Sequence, residues 1–138
     1  MAVFLDRDGV ITDNAEPINA PADVRLLPWA GKAIRRLNEA GLPVVVVTNQ
    51  GGVAFGYLTE AALEAIHLRM EALLAELGAS VDAIYYCPHH PGGTVAPYAV
   101  ACPDRKPGTG MLDRAERDLG IRLKKAVMIG DSPPDIVA

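Results

Sequence analysis

The chain has 138 residues, 13 basic and 17 acidic side chains, a net charge of −4 and a hydrophobic share of 50%. That length suits one domain with one core, and the apolar share excludes a disordered tail. The acidic balance offers nothing to a nucleic-acid backbone, and no apolar run approaches the ~20 residues that span a bilayer. Met1 leads straight into an apolar run without a basic region or cleavage site, and two cysteines make no disulfide framework. A cytoplasmic protein with neither nucleic-acid nor membrane partners is expected.

Val3 to Leu5 shows no polar alternation, which predicts a strand buried on both faces of a parallel sheet. It runs into Asp6-Arg7-Asp8-Gly9. Residues two apart on an extended segment point the same way, so Asp6 and Asp8 can share a pocket. Two such carboxylates need a proton or a cation between them, and the end of a parallel strand suits Mg²⁺. The plainer alternative is a strand end that binds water. Thr12 to Pro28, with three prolines, reads as a loop over the site.

Trp29 to Ala40 is predicted as a helix with Trp29, Ala33, Ile34 and Leu37 inward, stopped by Gly41 and Pro43. Val44 to Val47 is the second strand, followed by Thr48-Asn49-Gln50-Gly51-Gly52. This turn suits a phosphate, with a hydroxyl and free backbone N–H groups, or is an ordinary polar turn. Thr59 starts the second helix, Ala61 to Leu77, with Ala62, Ile66, Leu73, Leu74 and Leu77 inward. His67 within it reads as a surface or satisfied residue rather than a ligand. Asp82 to Tyr86 is the third strand, Lys106 to Leu119 the third helix and Ala126 to Ile129 the fourth strand. The order β-α-β-α-β-loop-α-β implies a parallel sheet with right-handed crossovers, in a single domain over residues 1–138.

Between the third strand and third helix, Cys87-Pro88-His89-His90-Pro91 and Cys102-Pro103-Asp104 bracket a loop over residues 87–104. Cys87, His89, Cys102 and Asp104 would supply enough ligands for tetrahedral Zn²⁺. Otherwise the cysteines are small buried hydrophobes and the histidines are solvated.

Four stretches taken together, Asp6-Arg7-Asp8-Gly9, Val44 to Gln50, Arg105-Lys106-Pro107, and Val127 to Asp131 with Asp135, resemble the signature motifs of the haloacid dehalogenase (HAD) superfamily of phosphatases, subfamily IIIA. The resemblance covers essentially the whole chain. Cys-Pro-His-His-Pro ahead of Arg-Lys-Pro is similar to the zinc loop of the heptose-bisphosphate and histidinol-phosphate phosphatases, which use Cys-x-His and Cys-x-Cys; here the last position is Asp104. The resemblance implies a three-layer α/β/α Rossmann-like fold with strand order 5-4-1-2-3 and no cap domain. The chain ends soon after the fourth strand, so a fold truncated there is expected, with that strand an edge open to association in a family of monomers.

The same resemblance implies the chemistry. Asp6 is the nucleophile of an aspartyl-phosphate mechanism, and Asp8 is the general acid and base. Mg²⁺ sits on the Asp6 carboxylate, the Asp8 carbonyl and Asp131, with Ser132 and Asp135 in support. Thr48 and Lys106 stabilise the phosphoryl group, and Asn49, Gln50 and Arg105 bind substrate. Gly51 stands where the branch usually carries Ser. Zn²⁺ is structural. The implied reaction is hydrolysis of a small phosphomonoester, a sugar phosphate such as D-glycero-D-manno-heptose 1,7-bisphosphate, with histidinol phosphate or a broader small-molecule range as alternatives. An interaction module that keeps the zinc loop but has lost turnover is the rival from another class.

Overall fold

The computed structural model describes residues 1–130; Asp131, Ser132 and Asp135 lie outside the described residues. Four short apolar runs, β1 (Ala2–Leu5), β2 (Val44–Asn49), β3 (Ala83–Cys87) and β4 (Ala126–Ile129), form one parallel sheet in the order β3-β2-β1-β4. This is the order implied by the resemblance over these four strands, with β1 internal. Val44 to Val47 are 0% exposed, as an unbroken apolar run in a sheet covered on both faces requires.

Side-chain alternation divides the core into two layers. Val3, Leu5, Val44 and Val46 face α1 (Ala30–Glu39) and α2 (Glu60–Glu76), meeting Ile34, Ile66, Met70 and Leu74. Ala2, Phe4, Val45, Val47 and Cys87 face α3 (Gly110–Leu119) through Met111, Leu112 and Ala115. Helices therefore cover both faces, which makes the three layers. Every strand delivers its carboxyl end to the same rim, where sites form in such sheets.

Helix details differ from the expectation. Trp29 is 61% exposed and Ala33 is also exposed; the inward face of α1 is Ala30, Gly31 and Ile34. Gly31 is inward because Leu77 lies against it, where a Cβ would collide with the Leu77 Cδ1. In α2 the buried stripe is Leu63, Ile66, His67, Met70 and Leu74. Leu77 caps the helix, 51% exposed. The Thr59 hydroxyl caps the other end, accepting from the Ala62 N–H at 3.1 Å.

The third helix begins at Gly110 rather than Lys106. Residues 106–109 form turns instead, with Gly108 N–H donating to the Arg105 carbonyl (2.7 Å) and Gly110 N–H to that of Pro103 (3.1 Å). Pro107 cannot donate there, and the Lys106 backbone is committed elsewhere. The loop after β1 is pinned by Leu27 N–H to the Ile11 carbonyl (2.9 Å) and buries Ile18 and Val24 in the core. In β4, Val127 and Ile129 are 43% and 45% exposed. Among the described residues no helix is long and apolar enough to cross a membrane.

Candidate active site

The turn after β1 is the centre of the rim. Gly9 adopts φ 83°, a left-handed conformation that disfavours side chains. The turn it permits lets Ile11 and Thr12 N–H groups converge on the Arg7 carbonyl at 2.8 and 2.9 Å. Asp6, 9% exposed, continues the strand, its N–H bonded to the Ile129 carbonyl at 3.0 Å. Its Oδ1 accepts from the Arg7 N–H at 2.8 Å.

Asp8 is held by four hydrogen bonds from three side chains. Its Oδ1 accepts from Arg7 Nε (2.9 Å) and Thr12 Oγ1 (3.1 Å), and its Oδ2 from Arg7 Nη2 and Gln50 Nε2 (both 3.1 Å). Burial pushes the Asp8 carboxyl up, but the Arg7 guanidinium and the hydrogen bonds from Arg7, Gln50 and Thr12 outweigh it and hold the carboxyl below its ordinary range. Asp8 is thus an ionised, acceptor-only group with its lone pairs in use.

Arg7 was not among the residues expected in the site, and it is 2% exposed. Its Nη1 reaches His67 Nε2 at 3.2 Å, and Nη2 also donates to Gln50 Oε1 at 3.1 Å. His67 is satisfied, as expected, but buried rather than on the surface. Burial, then the Arg7 charge, push its imidazole down to about 4, with Asp8 opposing. The signal for Arg7 was its place between two carboxylates at a buried strand end.

Lys106 comes from the far side of the rim. Its Nζ donates to the Val47 carbonyl (2.9 Å) and lies 3.4 Å from Asp6 Oδ1, with the side chain 3% exposed. Asn49 grips its backbone reciprocally: Nδ2 donates to the Lys106 carbonyl (3.0 Å), and Oδ1 accepts from the Lys106 N–H (2.8 Å). Thr48, 1% exposed, accepts from Gln50 Nε2 at 2.9 Å. Arg105 Nη1 donates to the His89 carbonyl at 3.4 Å. A Cβ on Gly51 would come 3.3 Å from Arg105 Nη1 and 3.4 Å from His90 Cδ2, so these two side chains close in on the glycine and a serine there would crowd them.

A cleft of about 650 Å³ opens on Arg7, Asp8 and Gln50. Its outer walls combine the β1 loop, with Asn14, Glu16, Pro17 and Ile18, and the β2 loop, with Phe55 and Tyr57. These two segments cover the rim where a separate cap is not expected.

The cysteine loop brings Cys87 Sγ, a His89 ring nitrogen and Cys102 Sγ within 4.8 Å of one another. Both cysteines are unbridged, and Cys87 Sγ lies 3.8 Å from His89 Nδ1. Burial first, with Cys102 and Asp104 adding to it against a backbone hydrogen bond from His89, pushes the Cys87 thiol up to about 11. Two sulfurs and an imidazole nitrogen at this spacing fit zinc, whose binding would displace the thiol protons. Asp104 stands apart from the expected four-ligand set: its Oδ2 pairs with Arg114 at 2.7 Å. His90 is turned to the Gly92 N–H (2.9 Å) and the Phe55 ring. Glu60, at the start of α2, accepts from Tyr86 (3.0 Å) and Tyr98 (2.7 Å) and so fastens the loop.

The profile of the polynucleotide kinase 3 phosphatase family matches residues 4–134. The chain is 42% identical over 137 residues to the D-glycero-beta-D-manno-heptose-1,7-bisphosphate 7-phosphatase of Rhodopseudomonas palustris, covering 99% of this chain and 76% of that one. A HAD-like phosphatase structure from Mesorhizobium loti superposes with a TM-score of 0.93 at 42% identity, over 99% of this chain and 65% of that one. The D,D-heptose 1,7-bisphosphate phosphatase of B. bronchiseptica, solved with magnesium and phosphate, gives 0.87 at 37%, over 99% and 74%.

Proposed function

The chain belongs to the polynucleotide kinase 3 phosphatase family, among the HAD-like phosphatases, and from that premise we propose that it removes the 7-phosphate of D-glycero-D-manno-heptose 1,7-bisphosphate through an aspartyl-phosphate on Asp6. The observation that carries this reading is Asp6 at an internal strand end, 3.4 Å from the buried Lys106 ammonium and two residues from Asp8.

Lys106 draws negative charge to Asp6 and screens its repulsion from a phosphate dianion. An Asp6 carboxylate oxygen attacks phosphorus as the ester P–O bond breaks, and Asp8 gives its proton to the departing alkoxide. Asp8 is ionised at rest, so it takes up that proton from solvent when the phosphate's charge arrives beside it. It also gives up an existing hydrogen bond to face the leaving group. Water then attacks phosphorus, Asp8 takes a proton from it, and the acyl phosphate P–O bond breaks to restore Asp6. Thr48 donates to the transferred group, and Asn49 acts by fixing Lys106. Gln50 orders Thr48, Arg7 and Asp8, and Arg105 reaches toward substrate from the cysteine loop.

The Asp6 carboxylate is a hard oxygen donor that fits Mg²⁺, with the Asp8 carbonyl and Asp131 as the other protein ligands. When bound, Mg²⁺ neutralises phosphate charge at the site. Cys87, His89 and Cys102 would hold Zn²⁺ as a structural ion that fixes the loop carrying Arg105 and Lys106.

Histidinol phosphate is the second reading, favoured by Glu16 on the cleft wall, a carboxylate suited to a substrate amine. A polynucleotide end gains no support from a chain of net charge −4. A panel of heptose 1,7-bisphosphate, simple sugar monophosphates and histidinol phosphate, assayed with Mg²⁺ for released phosphate, tests the proposal. The highest kcat/KM on the bisphosphate is expected. A preference for histidinol phosphate would transfer the assignment.

A further inference from the structure

Among the described residues, Arg7 on the cleft floor and His67 behind it form a buried pair to which the mechanism gives no bond-making part. Arg7 and His67 are 60 positions apart, 2% and 5% exposed, and joined at 3.2 Å. A guanidinium only donates, so His67 Nε2 must accept, which leaves His67 neutral with its proton on Nδ1. Neutral imidazole is also what burial beside a fixed positive charge demands. Three further donors of Arg7 go to both oxygens of Asp8 and to Gln50 Oε1. A planar fork engaged on three partners has little freedom to rotate.

We propose that Arg7 is the positioning residue of the Asp8 carboxylate and that His67, on α2, acts through it by locking the guanidinium plane. This inference rests on Asp8 being the general acid. Four bonds hold Asp8, but those of Gln50 and Thr12 are single contacts from groups that can turn. The bidentate Arg7 fork alone contacts both oxygens from one rigid plane. When Asp8 turns one oxygen to the leaving group, Arg7 is the pivot that keeps the other in place. An Arg7 free to tilt would leave the proton misdirected, and general-acid catalysis is steep in geometry.

The consequence is selective. Protonation of the leaving oxygen matters for a sugar alkoxide and little for 4-nitrophenolate, which departs without help. His67→Gln places an amide oxygen near the position of Nε2 and keeps the acceptor, whereas His67→Asn is too short to reach Arg7. We expect His67→Asn to lower kcat on a sugar phosphate by about tenfold and kcat on 4-nitrophenyl phosphate by about twofold or less, with KM little changed. His67→Gln should restore most of the loss on the sugar phosphate.

Asp8→Asn, measured in parallel, separates the two layers of the inference. If it shows no leaving-group selectivity, the general-acid reading fails. If it does, while His67→Asn lowers both substrates equally or neither, the role given to Arg7 and His67 is overturned. Failure of His67→Gln to rescue has the same meaning. Should His67→Asn not fold, Arg7→Lys carries the test: it keeps the charge, loses the fork, and is expected to show the same selectivity.

Discussion

Acid should strip stability from this protein through His67, and the amount can be worked from its surroundings. The imidazole falls from an ordinary 6.5 to about 4 in the fold because it is buried and faces Arg7. The unfolded chain therefore binds a proton between those values that the folded chain refuses. Stability rises with pH across the window and is lost as pH drops from about 6.5 toward 4. At about 1.4 kcal/mol per pKa unit, the loss is roughly 2 kcal/mol at pH 5 and roughly 3 kcal/mol at pH 4, relative to pH 7.5. With an m-value of about 1–3 kcal/mol/M, the urea midpoint should fall by on the order of 1 M by pH 5.

Carboxylates titrate in part of the same window, so the measurement is a difference: urea midpoints from pH 7.5 to 4 for the wild type and His67→Gln. The variant cannot take up the proton and should hold its midpoint where the wild type declines, the two curves diverging below pH 6.5. Parallel curves would show that His67 is not kept neutral by the Arg7 contact, and the buried network would need redrawing.

Removing the Asn49 amide with Asn49→Ala should cost roughly 1–3 kcal/mol, since it strands both backbone groups of Lys106, and lower kcat more than it raises KM; thermal melts and steady-state kinetics check this. Elemental analysis of protein purified without added metal should give about one zinc per chain, falling to near zero in Cys87→Ser. Arg114→Gln should tighten zinc retention against a chelator by freeing Asp104 from its ion pair; unchanged retention would place Asp104 beyond reach of the metal.

The sheet was legible because buried parallel strands are written as unbroken apolar runs, and Val44 to Val47 is one. Helix faces were less so. The stripe on α2 is set by which neighbours need covering, so a histidine faces inward where Arg7 needs an acceptor. Pattern reading assigned the outer positions Ala62 and Leu77 instead. The start of α3 was misplaced because Lys106 looks helix-forming, while Asn49, 57 residues away, holds its backbone out of the helix.

In the site, Asp6, Asp8 and Thr48 were legible as strand-end and turn residues and Lys106 only through the resemblance; the structure brings Lys106 Nζ to 3.4 Å from Asp6 Oδ1. Asn49 and Gln50 were found, but their hydrogen bonds turn them toward Lys106, Thr48, Arg7 and Asp8. Arg7 was not expected in the site, and His67 was expected only as a surface or satisfied residue, because nothing in local spacing joins them. Their importance comes from a contact between β1 and α2 that local spacing does not encode. Asp104, expected as a ligand from its spacing to Cys102, is paired with Arg114 on α3 at 2.7 Å, a contact ten residues on that the Cys-x-Asp spacing does not reveal.

The central claim is the covalent role of Asp6. Enzyme mixed with a sugar phosphate and Mg²⁺, quenched within one turnover and treated with borohydride, should yield a peptide in which Asp6 has been reduced to homoserine. Asp6→Asn should give neither the product nor phosphate release. Phosphate release at full rate with Asp6 unmodified, or reduction at another carboxylate, would contradict the account.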